Sequence, residues 1–341
     1  MSPVIAPTRP AAATGPGGST GSRLVGRVPP SVRTLLVWLV VGVAGYAALG
    51  GSTLFLATTA VIYALFALGT SIQLGWTGMV SFGQAAYFGA GAYTVALLAP
   101  AGLPPLLALV AGAGVAALLG LLFSVAATRV TGVEFTMLTL VFGQILFLLL
   151  YRVPAFGGEN GLPGIPRGTI FGQSLFSDGA FWVYTVAIVA IVSVGIRRAR
   201  HSSWGVGLTA VRDDPRRAAA LGLDVRMMRI TATGVAALLG GLAGALFVQL
   251  QGIASPEVMS WVVSGEVVIM CLIGGVATFW GPAVGAVLFT VVSWSLMDTS
   301  ATPELYFGLG LLIVVLLLPE GLAGAATKAR DVLAGRRRGT S

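Results

Sequence analysis

Apolar residues in this chain do not alternate with polar ones but run in long stretches, separated by short polar or basic segments. Ten stretches stand out, at approximately 34–50, 53–73, 79–99, 104–127, 133–151, 180–196, 230–251, 258–278, 281–298 and 303–319. Each is close to the roughly 17 to 25 residues with which a helix crosses a hydrocarbon core about 30 Å thick. Lipid cannot satisfy backbone N–H and C=O groups, so segments of this kind must be helical. The pattern therefore predicts an all-α polytopic membrane protein with about ten transmembrane helices. The third and ninth stretches are the weakest, because Gly83, Gly89 and Gly91 interrupt one and Pro282 and Gly285 the other. Both are expected to be broken or re-entrant helices buried in protein, with Gly83, Gly89 and Gly91 as the candidate broken-helix glycines.

Composition agrees with lipid as the main solvent. Only 9% of the 341 residues are charged and 56% are hydrophobic, with 48 glycines, whereas a soluble domain carries about 25% charge. A net charge of +8 would suit a nucleic-acid partner in a soluble protein, but in a membrane protein basic residues mark topology, and no nucleic acid is expected here. All the basic residues except Arg129, Arg152 and Arg167 fall in three clusters: before residue 34, between 197 and 229, and after 327. Six crossings separate the first cluster from the second, and four more lead to the third. All three then share one face, which the positive-inside bias makes cytoplasmic. Residues 1–33 are expected to be a disordered cytoplasmic tail, 34–320 a transmembrane domain, 152–179 an extracytoplasmic loop, and 321–341 a basic cytoplasmic tail. A multi-pass protein of a bacterial inner or plasma membrane is the expected setting.

The 197–229 loop is the most informative segment. In Arg212, Asp213, Asp214, Pro215, Arg216, Arg217, Ala218, Ala219, Ala220, Leu221 and Gly222, Asp214 is a helix N-cap, Pro215 suits the first helical position and Gly222 suits a left-handed stop. Two turns of helix are unstable alone, so this one is expected to pack against the bundle or a partner. The alanines admit a close backbone, and the arginines supply directional donors. A loop that only fixes topology is the competing reading. Gly240, Gly244, Gly281 and Gly285 form Gly-x-x-x-Gly spacings that favour close helix packing.

Intramembrane polar groups are few. Glu257 and Glu304 follow Ser-Pro and Thr-Pro and read as helix starts, and Glu134 sits at the start of its span. Glu266 lies well inside its span, where a carboxylate is costly, and Gln84, Gln144, Gln249 and Gln251 are its potential partners. Gln84, Glu134, Gln144, Gln249 and Glu266 are the candidate pathway residues. No span holds two acids, which argues against a proton relay. The single Cys271 and single His201 offer no metal cluster. No nucleophile with a base and no phosphate-binding Gly-x-x-x-x-Gly-Lys run is present. The chain is thus expected to be no enzyme, to bind no cofactor and to lack its own ATPase site.

The residues at 78–94, the Gly157-Gly158-Glu159-Asn160-Gly161-Leu162 turn, Ala210-Val211-Arg212-Asp213-Asp214 with Ala218 to Gly222, the 250–257 segment and Gly274-Gly275 leading into 280–286 together carry a family resemblance. In order and spacing, from about Thr53 to Gly324, the chain resembles the branched-chain amino acid permease subunits of ABC importers, of the LivM type. The resemblance implies a transmembrane pathway shared with a homologous permease subunit, two cytoplasmic ATPase subunits that use ATP, and an external substrate-binding protein. It also implies that 212–222 is an ATPase-coupling helix, although Arg217 stands where the family often has an acid. The same architecture carrying urea or short amides is an alternative, and a stand-alone secondary transporter or channel is a second.

Overall fold

The computed structural model describes residues 30–170, 172–297 and Gly321. Eleven helices account for most of them: α1 (Pro30–Ala48), α2 (Ser52–Ser71), α3 (Gln84–Leu98), α4 (Pro105–Ala127), α5 (Val133–Arg152), α6 (Asp178–Arg200), α7 (Ser203–Asp213), α8 (Pro215–Ala220), α9 (Val225–Gln251), α10 (Trp261–Gly274) and α11 (Gly281–Met297). Helix α2 continues as a π-helical turn, Ile72–Trp76. Among the described residues, six helices are long and apolar enough to cross a membrane: α1, α2 with its π turn, α4, α5, α6 and α9. At 15, 14 and 17 residues, α3, α10 and α11 are shorter; the first two rise only about 22 and 21 Å. The stretch at 303–319 and most of the two tails lie outside the described residues.

The interruptions fall differently from the sequence expectation. The third stretch is broken, but only at its start: residues 78–83 are non-helical and α3 begins after Gly83. Gly89 and Gly91 lie inside a continuous helix. A Cβ on Gly89 would stand 2.1 Å from Met259 Cγ, and one on Gly91 would stand 1.9 Å from the Gly241 carbonyl oxygen. These two glycines serve packing, and they do not break the helix. The ninth stretch is intact, because Pro282 occupies the first turn of α11, where no intrahelical N–H is required. The eighth stretch is the second interrupted one. A 3-10 turn at Pro256–Met259 precedes α10, and Gly275, at φ +97°, ends it.

Helix α9 is the centre of the bundle, with α2, α3 and α4 around it. The α3–α9–α4 seam is packed backbone to backbone: a Cβ on Gly244 would meet the Phe88 carbonyl oxygen at 1.8 Å, and one on Gly241 would meet Ala116 Cβ at 2.2 Å. This is the close approach that small residues permit in membranes. Above the seam, Tyr63, Phe66, Phe88 and Phe247 form an aromatic cluster. Helix α1 leans on α6, where the Trp182 Nε1–H donates to the Gly42 carbonyl at 2.9 Å. The outward faces of α1, α4, α5 and α6 are studded with exposed apolar side chains such as Val40, Leu122, Ile145 and Ile191, as expected where lipid is the solvent.

The connections gather at two ends. At one, β1 (Leu162–Pro163) pairs antiparallel with β4 (Ile253–Ala254), and β2 (Thr169–Ile170) pairs with β3 (Gln173–Ser174). Arg167 fastens this end through an ion pair to Asp178 at 2.8 Å, a hydrogen bond to the Leu250 carbonyl at 3.2 Å and a position 5.1 Å over the Phe181 ring. The opposite end holds α7, α8 and the 78–83, 128–132 and 275–280 connections, together with the 197–229 arginines.

Candidate functional site

At the arginine-rich end the loop holds the expected short helix, α8, and a second one, α7, before it. Helix α8 forms as its sequence suggests: Asp214 Oδ1 accepts from the Arg216 and Arg217 amides, each at 3.0 Å, and Pro215 fills the first position. Gly222, at φ +86°, ends the helix while the Leu223 amide bonds back to the Ala218 carbonyl at 3.2 Å. Only Ala218 is buried in α8. Pro215, Arg216, Arg217, Ala219, Ala220, Leu221 and Gly222 face outward, with Leu221 78% exposed. The result is a small apolar knob flanked by the exposed Arg216 and Arg217 guanidinium groups; the Arg217–Asp214 contact of 3.5 Å is solvent-exposed and adds little stability.

Helix α7 was not apparent from sequence. Ser202 caps it by accepting from the Gly205 amide, and Leu208 and Val211 are fully buried. Its signal was present in Ser202 and the two internal apolar positions, but Gly205 and Gly207 masked the periodicity. Helix α7 places Arg212 beneath the end of α2. There Arg212 Nη1 donates to the Gly75 carbonyl at 2.7 Å, its stem lies against Gly78, and Nη2 pairs with Asp213 at 2.9 Å. Two other arginines act alike. Arg200 Nη2 donates to the Ala277 carbonyl at 2.7 Å, and Arg226 Nη2 donates to the Val125 carbonyl, in the last turn of α4, at 2.9 Å. Helix C-termini leave carbonyls without partners and carry negative dipole charge, so a guanidinium is the matching donor. Half of the basic cluster, Arg197 included through Thr34 and the Phe279 ring, is therefore built into the bundle.

The second polar centre is the break before α3. Its N–H groups lack helical partners, and neighbouring helices provide several of them. Thr139 Oγ1 of α5 accepts from the Phe82 amide at 3.0 Å, Ser264 Oγ of α10 accepts from the Ala85 amide at 2.9 Å, and Thr136 Oγ1 donates to the Val80 carbonyl at 3.0 Å. Gln84, fully buried, donates to the Gln73 amide oxygen, and Gln73 donates to Thr233 Oγ1 at 3.0 Å. Gln73, Thr136, Thr139, Thr233 and Ser264 were not singled out in the sequence. Their common trait, one small or amide polar group inside an apolar span, is shared by many hydroxyl groups that merely bond their own helix.

The remaining candidate pathway residues do not converge. Glu134 is exposed in the first turn of α5, and Gln144 is half-buried on the same helix. Gln249 is buried at the opposite end, where it donates to the Pro105 carbonyl at 3.3 Å beside a cleft of about 320 Å³. Glu266 is half-buried on α10. No hydrogen bond joins it to Gln84, Gln144, Gln249 or Gln251 among the described residues.

These features define an all-helical, multi-pass membrane protein whose polar side chains cap and join helices. The chain belongs to the family described as the branched-chain amino acid transport system / permease component, whose model matches residues 52–318. It is 28% identical over 313 residues to the high-affinity branched-chain amino acid transport system permease protein LivM of Escherichia coli K12, covering 84% of this chain and 74% of that one. Against the protein of the same name from Salmonella typhimurium LT2 it is 28% identical over 330 residues, covering 89% and 78%. No solved structure matches it significantly.

Proposed function

We propose that the chain is the permease subunit of an ATP-driven importer of branched-chain or related hydrophobic amino acids, in the cell membrane of a bacterium. The observation that carries this reading is α8, a capped helix exposed outside the bundle whose neighbour α7 is bolted to it. An ATPase subunit, one of two, docks on Leu221, Ala219 and Ala220 between Arg216 and Arg217. The arginine-rich end is cytoplasmic, ten crossings return both termini to that side, and a homologous permease completes the pathway against the exposed apolar helices. The Arg167-fastened end faces outward and receives the amino acid from a substrate-binding protein. This chain supplies no ATPase chemistry and binds no cofactor; closure of the ATPase pair moves α8 and rocks the bundle between outward and inward access. The names of both relatives support the cargo.

The test is purification of the chain from its native membrane with everything bound to it. The expected result is co-elution of an ATPase and a second permease, with ATP-dependent uptake of leucine-like amino acids after reconstitution. Uptake by the purified chain alone would contradict the reading.

A further inference from the structure

The arginine contacts at the α7–α8 end have a pattern that capping alone does not require. Arg212 and Arg200 stand at the end of α7 and the end of α6, which flank the Ser203–Asp213 helix. Both donate, at 2.7 Å, to backbone carbonyls in two adjoining irregular segments: Gly75 in the π turn leading into the break before α3, and Ala277 in the turn between α10 and α11. The two places touch each other, since a Cβ on Gly75 would stand 2.7 Å from the Val276 carbonyl oxygen. Aromatic contacts reinforce both. Trp204 of α7 packs edge-on against Trp76 at 6.0 Å, and Arg197 lies 5.2 Å over Phe279. Beyond Gly75, the π turn carries Gln73, which bonds to Gln84 at the start of α3. A continuous run of directional bonds therefore leads from α7 to the interrupted helices, and α7 adjoins α8 through Asp214 alone.

We propose that Arg212 and Arg200 are positioning residues for transport: they grip the π turn of α2 and the α10–α11 turn, so that displacement of α7–α8 moves the two interrupted segments together. A hydrogen bond from a guanidinium to a backbone carbonyl suits this task because it is charge-assisted and directional. Arg226 makes the same kind of bond to the end of unbroken α4 and reaches neither segment, so it is the internal control. The proposal rests on the functional reading above, in which α8 receives the ATPase.

The experiment uses the complete complex reconstituted in liposomes and reads ATP hydrolysed per amino acid imported. Arg212→Met and Arg200→Met keep the apolar stems and remove the donors. Each is expected to raise the ratio by roughly tenfold, the factor that corresponds to one charged hydrogen bond at the weak end of its range, and the double variant by more, while Arg226→Met leaves it at the wild-type value. An unchanged ratio in the double variant overturns the proposal, including the case in which import and hydrolysis fall together. If the variants do not accumulate, hydrogen exchange on the wild-type complex decides instead. Protection at 72–83 and 275–280 must change between the nucleotide-free and ATP-bound states, and unchanged exchange at both overturns the proposal. A wild-type chain that recruits no ATPase fails the functional reading itself, which distinguishes that outcome from failure of the arginine grip alone.

Discussion

The α3–α4–α9 seam and the arginine-rich end are both tightly joined, the seam by glycine contacts and the arginine-rich end by guanidinium bridges added to a few such contacts, as between Gly75 and the Val276 carbonyl. In the seam, glycine brings one backbone against another, and no side chain has freedom to adjust: Gly91, Gly241 and Gly244 each leave less than van der Waals distance for an added carbon. At the arginine-rich end the joints are long side chains reaching to carbonyls, from Arg200, Arg212 and Arg226. A glycine seam transmits force as a block, since packed interiors are stiff. A guanidinium bridge holds position and direction yet can swing. The difference suggests a rigid half of the bundle and an adjustable one, with the break before α3 at their boundary.

The comparison breaks most sharply at Gly244. Gly244→Val drives a side chain into the Phe88 carbonyl, and overpacking of this kind costs about 1 to 3 kcal/mol, more against backbone. The expected outcome is loss of folded protein, measured as accumulation in the membrane and as a lowered melting temperature in detergent; a normal melt would show that the seam is adjustable after all. A smaller effect is expected at the boundary. Ser264→Ala leaves the Ala85 N–H without its acceptor, at a cost of about 1 to 3 kcal/mol. Hydrogen exchange should quicken at the start of α3 and remain slow along the α9 seam. Equal change in both would erase the distinction between the two regions.

Local signals were readable in the sequence, and distant ones were not. Asp214, Pro215 and Gly222 define α8 because capping involves only neighbours in the chain. The six helices long enough to cross a membrane were readable because lipid imposes one rule on every residue of a long segment. By contrast, Gln73 finds Thr233 at a separation of 160 residues and Arg212 finds Gly75 at 137, and no pattern in a single sequence encodes such meetings. Pro282 was misread because the same residue both opens and interrupts helices, and only its position in the turn decides. Gly89 and Gly91 were misread for a related reason: their close contacts with Met259 and Gly241 come from helices far along the chain. Glu266 stood out by its cost in lipid, yet the glutamines considered for it are engaged elsewhere or lie apart.

The central claim is that energy reaches this permease through α8. Its most direct test is deletion of residues 214–221 in a strain whose import of branched-chain amino acids depends on the chain. The account predicts loss of ATP-coupled import while the shortened chain still inserts in the membrane at the wild-type level. Import at the wild-type rate by the deleted chain would contradict it.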